Sequence, residues 1–191
     1  MKKKLIAAIM AVSVVVGGNY ASAAPVQQKA VKTYTENDIQ TVKLYSQISN
    51  MYINLQDLNR GVGKLSEGLS LAYNDMRVNG SSTMYTNVQK AHAQFTDLYS
   101  KRVKEVQALA RLASANKINV SDMNTILEKS KIALEQYDEA LQALNNVFEN
   151  PNEYTMNQYV SKEKAAYKKI SEGEQLARQG YQRFYNIIQK Y

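Results

Sequence analysis

Residues 44–76 read LYSQISNMYINLQDLNRGVGKLSEGLSLAYNDM, and counting this stretch in sevens decides the fold class. Leu44, Met51, Leu58, Leu65 and Ala72 fall at d, and Ile48, Leu55, Val62, Leu69 and Met76 at a, so all ten seam positions are apolar. That spacing belongs to a long helix with one buried face. The flanks argue against a two-stranded zipper, which carries Glu and Lys there. Here the e positions are Tyr45, Tyr52, Asn59, Ser66 and Tyr73, and the g positions are Gln47, Asn54, Gly61, Gly68 and Asp75. Glycine inside a helix costs about 1 kcal/mol relative to alanine, so Gly61 and Gly68 need a reason. Close approach of a neighbouring helix supplies one, and a kink is the alternative.

Working outward, three more segments carry the same spacing. Residues 82–115 give Met84, Val88, Ala91, Phe95, Leu98, Arg102, Glu105, Leu109 and Leu112. Residues 121–149 give Met123, Leu127, Ser130, Leu134, Tyr137, Leu141, Leu144 and Phe148, with Ile126, Ala133, Ala140 and Val147 widening the stripe at g. Residues 151–190 give Met156, Tyr159, Glu163, Ala166, Ile170, Gly173, Ala177, Gly180, Phe184 and Ile187, with Tyr191 just beyond. The breaks between them are turn chemistry: Asn79-Gly80-Ser81-Ser82, Asn116 to Ser121, and Asn150-Pro151-Asn152-Glu153, with Asn150 as an N-cap and Pro151 first in the helix. Thr35-Glu36-Asn37-Asp38 opens the first helix, 35–78. Sustained period-two alternation is missing throughout. The expectation is an all-α, elongated, antiparallel up-down-up-down four-helix bundle over residues 35–191, because short loops join helices that run in opposite directions.

The chain begins differently. Lys2-Lys3-Lys4 precedes an apolar run of 12 residues, Leu5 to Val16, then small and polar residues and Ala21-Ser22-Ala23. These are the three parts of a secretory signal peptide. A membrane-spanning helix needs about 20 apolar residues, and this run is shorter. Cleavage is placed after Ala23, because a cut after Ala24 would put Pro25 next to the scissile bond. Residues 24–34 lack periodicity and read as a flexible leader. The expected destination is extracytoplasmic, periplasm or medium, with no stable membrane anchor. Residues 1–23 contain three of the 24 basic residues and none of the 17 acidic ones, so the chain's +7 falls to +4 after cleavage.

Composition removes most chemistry. With no Cys there is no thiol nucleophile, zinc–thiolate site or disulfide, and with one His no site that needs two. No phosphate-binding glycine loop or serine nucleophile elbow is present. The chain reads as non-enzymatic and without a cofactor. His92 with a methionine such as Met51, Met76, Met84, Met123 or Met156 is the only arrangement resembling haem ligation, but those methionines sit where ordinary core residues belong. Lys101, Lys104 and Arg111, and Lys162, Lys164, Lys168 and Lys169, form two basic clusters suited to nucleic acid, anionic lipid or acidic glycan. Interspersed acidic residues and the modest net charge favour a solvated face, and nucleic-acid binding is not expected.

Tyrosine is the unusual count, 14 against 3 Phe and no Trp. Tyr45, Tyr52, Tyr73, Tyr99, Tyr167 and Tyr181 suit a core edge, where the hydroxyl reaches water. Tyr34, Tyr154 and Tyr185 do not fit that role and suit an interface, where Tyr gives area at small rotamer cost. The expected function is binding of another protein or a cell-envelope component; a periplasmic holdase and a small-ligand or haem carrier are the alternatives.

Four polar residues fall on the seams. Counting 1.5 Å per residue from the turn at 116–121 puts Ser130 about 12 Å, Glu105 about 15 Å, Arg102 about 20 Å and Glu163 about 22 Å along the bundle. The expectation is a buried or half-buried polar layer in which Arg102 pairs with Glu163, Glu105 or both. The alternative is a rotation of the second helix that turns Val103 and Val106 inward.

Overall fold

The computed structural model describes residues 34–191. The expected signal peptide, the cleavage site after Ala23 and the leader up to Thr33 lie outside the described residues. Those residues form a bundle of four helices without strands: α1 (Glu36–Asn79), α2 (Thr83–Ala115), α3 (Asp122–Glu149) and α4 (Glu153–Ile188). With 44 residues, α1 is about 66 Å long.

α1, α2 and α4 start where side chains satisfy backbone N–H groups that have no partner within the helix, whereas Ser121, placed to cap α3, makes no side-chain cap bond. At α1, Thr35 Oγ1 accepts from Asp38 N at 3.2 Å while Asp38 Oδ2 accepts from Thr35 N at 2.8 Å. At α4 the cap is Asn152, two residues later than the Asn150–Pro151 pattern suggests. Asn152 Oδ1 accepts from Thr155 N at 3.0 Å, and Thr155 Oγ1 accepts from Asn152 N at 3.2 Å. Thr155 also donates to Asn150 O, so this later start satisfies both strands of the turn. The Asn79–Ser82 turn is closed by Gly80 in the left-handed region, φ 63°, and by Asp75, which accepts from Met84 N.

Inside, one contiguous apolar cluster draws on all four helices. Nine of the ten seam residues of α1 are buried, with Met76 half-buried, and Tyr52 and Asn59 at e are fully buried beside them. α3 buries its seam and its whole g row, except for half-buried Phe148. α4 is narrower: Ala166, Gly173, Ala177 and Gly180 let α1 come close, and Tyr191 is exposed rather than on the seam.

α2 departs from the strict heptad. Its inner row runs Phe95, Leu98, Arg102, Val106, Leu109 and Ala113, and Leu112 is 48% exposed. The step from Arg102 to Val106 is four residues where the heptad needs three, the drift of a straight 3.6-residue helix. α1 and α3 each touch all the other helices, and α2 and α4 do not meet. α1 and α3 therefore form the short diagonal.

The glycines explain how the helices approach. A β-carbon at Gly61 would lie 2.5 Å from Phe95 Cε1, and one at Gly68 2.9 Å from Val88 Cγ2. Both glycines make room for α2 side chains.

Candidate functional site

The four polar seam residues go to three different places. Arg102 and Glu105 meet each other, Nη1 to Oε2 at 2.5 Å, with 19% and 32% of their side chains exposed. Arg102 Nε is buried without a hydrogen bond, and Glu105 is also 4.0 Å from Lys101. Val106 is fully buried and Val103 half-buried, so the inward turn of the valines and the Arg102–Glu105 pair coexist. Ser130 is fully buried and donates to Asn59 Oδ1 at 3.1 Å and to Ile126 O at 3.0 Å. Glu163 accepts a hydrogen bond from Ser66 of α1. Arg102 thus pairs within α2 and Glu163 bonds to α1, and the two are not paired with each other.

Asn59 completes the Ser130 site. Its Nδ2 donates to Leu55 O at 2.9 Å, and a β-carbon at Gly173 would stand 2.8 Å from its Oδ1. Residues from α1, α3 and α4 thus define one polar point in an apolar core. Nearer the 116–121 loop, Tyr52 donates to Asp122 Oδ1, while Arg183 donates to Tyr52 Oη at 2.9 Å and to both Asp122 oxygens at 3.2 Å. Burial, and then the Asp122 carboxylate, push the Tyr52 hydroxyl well above its usual range. Sequence reasoning places Tyr52 and Asn59 on a flank. The readable signal was on the other helix, where Gly173 and Gly180 leave space for them.

The third place is a surface groove of about 300 Å³, lined by Ser66, Glu163, Lys164, Tyr167 and Lys168. Close to Glu163 lies Tyr137, fully buried, whose hydroxyl is pushed well above its usual range by burial and then by the Glu163 charge. The same two causes push Tyr159 up to about 12. At the rim Tyr167, which the spacing assigns to a core edge, is 57% exposed.

Elsewhere the basic clusters are partly neutralised. Lys162 pairs with Glu139, and Lys169 stands 3.7 Å from Glu172. Lys104, Arg111, Lys164 and Lys168 are exposed and form no salt bridge among the described residues. His92 Nε2 lies 2.9 Å from Leu134 O; a carbonyl only accepts, so that nitrogen carries the proton. Met123 is fully buried and Met51 nearly so, as core residues. Among the described residues no cluster of three His, Asp or Glu is placed to hold a metal, and no helix is long and apolar enough to cross a membrane. Tyr34, Tyr154 and Tyr185 are exposed, Tyr154 by 70%. Comparison with protein-family models, with curated proteins and with solved structures finds no match.

Proposed function

We propose that this chain is an exported, non-enzymatic binding module: an elongated antiparallel up-down-up-down bundle that recognises another protein or a component of the cell envelope. Support for the topology comes from the order of contacts. Tyr52, Asn59, Gly63 and Ser66 of α1 meet Gly180, Gly173, Ile170 and Glu163 of α4, rising along one helix while falling along the other. Gly61 and Gly68 meet Phe95 and Val88 in the same sense, as do Lys129 and Glu139 with Glu172 and Lys162. Tyr52 and Asn59 meet Asp122 and Ser130, rising together across the diagonal. Support for export is the tripartite pattern of residues 1–23.

The observation that carries the binding reading is the exposure of Tyr154, Tyr167 and Tyr185 on one helix. An exposed phenol brings contact area and a hydrogen-bonding tip at small entropic cost, and Tyr is enriched at interfaces for that reason. The packing of the four apolar stripes into one cluster favours this over a holdase, since the open apolar groove beside Ile39, Val42 and Ile188 is only about 330 Å³, small for an unfolded client. A photo-crosslinking residue introduced at 154 or 185 in cells of the source organism is expected to give discrete adducts. Labelling no stronger than at the exposed control position Gln142 would defeat the protein-binding reading.

A further inference from the structure

The groove beside Glu163 is not explained by the packing of the bundle. A carboxylate on a helix seam is costly unless its acceptor sites are filled. Glu163 accepts one hydrogen bond, from Ser66, and forms no salt bridge among the described residues, although a carboxylate offers about four acceptor sites. Glu163, with acceptor capacity to spare, borders an open space of about 300 Å³, at the small end of ligand sites.

The rim says what could fill it. Glu163 and Tyr167 are one helical turn apart, as are Lys164 and Lys168, so two adjacent rows line the same side. One row offers a hydrogen-bond acceptor and an exposed aromatic face, and the other offers two cations that form no salt bridge among the described residues. We propose that this groove binds a carboxylate-bearing sugar unit of an acidic saccharide, a proposal that rests on the envelope-binding half of the reading above. Ring hydroxyls of the sugar donate to Glu163, its C–H face lies on Tyr167, and its carboxylate sits between Lys164 and Lys168. A neutral sugar leaves the lysines unused. A bare phosphate is repelled by Glu163 and makes no use of the ring. The volume fits one or two rings, so recognition is of a short unit rather than of a long chain.

The probe is trigalacturonic acid, titrated into the isotopically labelled chain and followed by amide chemical shifts. Saturable shifts are expected at residues 163–168 and around Ser66. The fully methyl-esterified trimer is expected to bind at least roughly tenfold more weakly, as are Tyr167→Ala and the double variant Lys164→Gln/Lys168→Gln. These side chains are exposed, so circular dichroism and the unfolding temperature should match the parent. Absence of saturable shifts, equal affinity for the ester, or parental affinity in Tyr167→Ala overturns the proposal. So does saturation of the same residues by the zwitterion dialanine in place of the acid. Crosslinks at 154 and 185 with a silent titration condemn the sugar site alone; a saturating titration without crosslinks condemns only the protein-binding reading.

Discussion

Gly180 stands against the ring of Tyr52, so close that a β-carbon at 180 would fall far inside carbon–carbon contact distance of Tyr52 Cε1. The ring has nowhere to go. It stacks on Phe184 at 5.8 Å, and its hydroxyl is held by Asp122 and Arg183. Gly180→Ala gains about 1 kcal/mol of helix propensity but overpacks a rigid site, for a net loss of about 2 kcal/mol or more. Gly63 is the control, since its β-carbon would sit 3.3 Å from an Ile170 methyl. Gly63→Ala should stay within about 1 kcal/mol of the parent. Urea midpoints measure both, and equal midpoints would show that Tyr52 is not locked.

Arg102 holds its charge partner on its own helix. Removing the guanidinium leaves Glu105 partly in water and beside Lys101, so no carboxylate is stranded in the core. Arg102→Ala should cost about 1 kcal/mol, against about 3 kcal/mol or more for a truly buried pair. Arg102→Met should be neutral or stabilising, because it keeps the packed stem and removes the buried Nε that has no partner. A loss above about 3 kcal/mol in either variant would restore a buried layer around Arg102.

Asn59 and Ser130 share a hydrogen bond between fully buried side chains. Asn59→Ala should cost about 2 kcal/mol and Ser130→Ala about 1 kcal/mol, the serine being the milder because Asn59 retains its bond to Leu55 O. The double variant should be less damaged than the two losses added together, with a coupling of about 1 kcal/mol. Strict additivity in the unfolding curves would mean that the two side chains do not interact.

Tyr159 sets an alkaline limit. Burial and then the Glu163 charge push its hydroxyl from 10.0 to about 12 in the folded chain. Above pH 10 the unfolded chain releases this proton while the folded chain keeps it, so stability is complete below about 10 and is lost toward 12. The loss from this one residue is about 2–3 kcal/mol. Tyr52 and Tyr137 are raised in the same direction and steepen the fall. Tyr159→Phe should flatten the decline of the urea midpoint between pH 10 and 12; an unchanged slope would remove Tyr159 as its cause.

The class and the seam of α1 were legible because apolar burial leaves a periodic trace in the residues themselves. So were the reasons for Gly61 and Gly68, since a glycine in a helix points to something outside that helix. Less legible was whatever depends on two helices at once. Tyr52 and Asn59 look like flank residues until Gly180 and Gly173 are set opposite them. The shift in α2 at Arg102 is invisible to a count in sevens, because helices drift by about 20° per heptad and the partners decide where the drift is absorbed. For the groove at Glu163, the sequence marked a polar seam residue, but its partner Ser66 lies 97 positions away.

The unequal diagonals of the bundle give its helices unequal holds on the native state. α2 never reaches α4 and buries only Val88, Val106, Leu109 and Ala113 along 33 residues, whereas α3 buries twelve side chains in 28. Cooperative opening units follow buried apolar contact, so of the four helices α2 should come away first. Backbone amides of α2 should exchange with solvent well before those at the centres of α1 and α3. The remaining three helices would then present the face that Phe95 and Val88 ordinarily cover, a surface displayed only in passing and governed by how often one arm lifts.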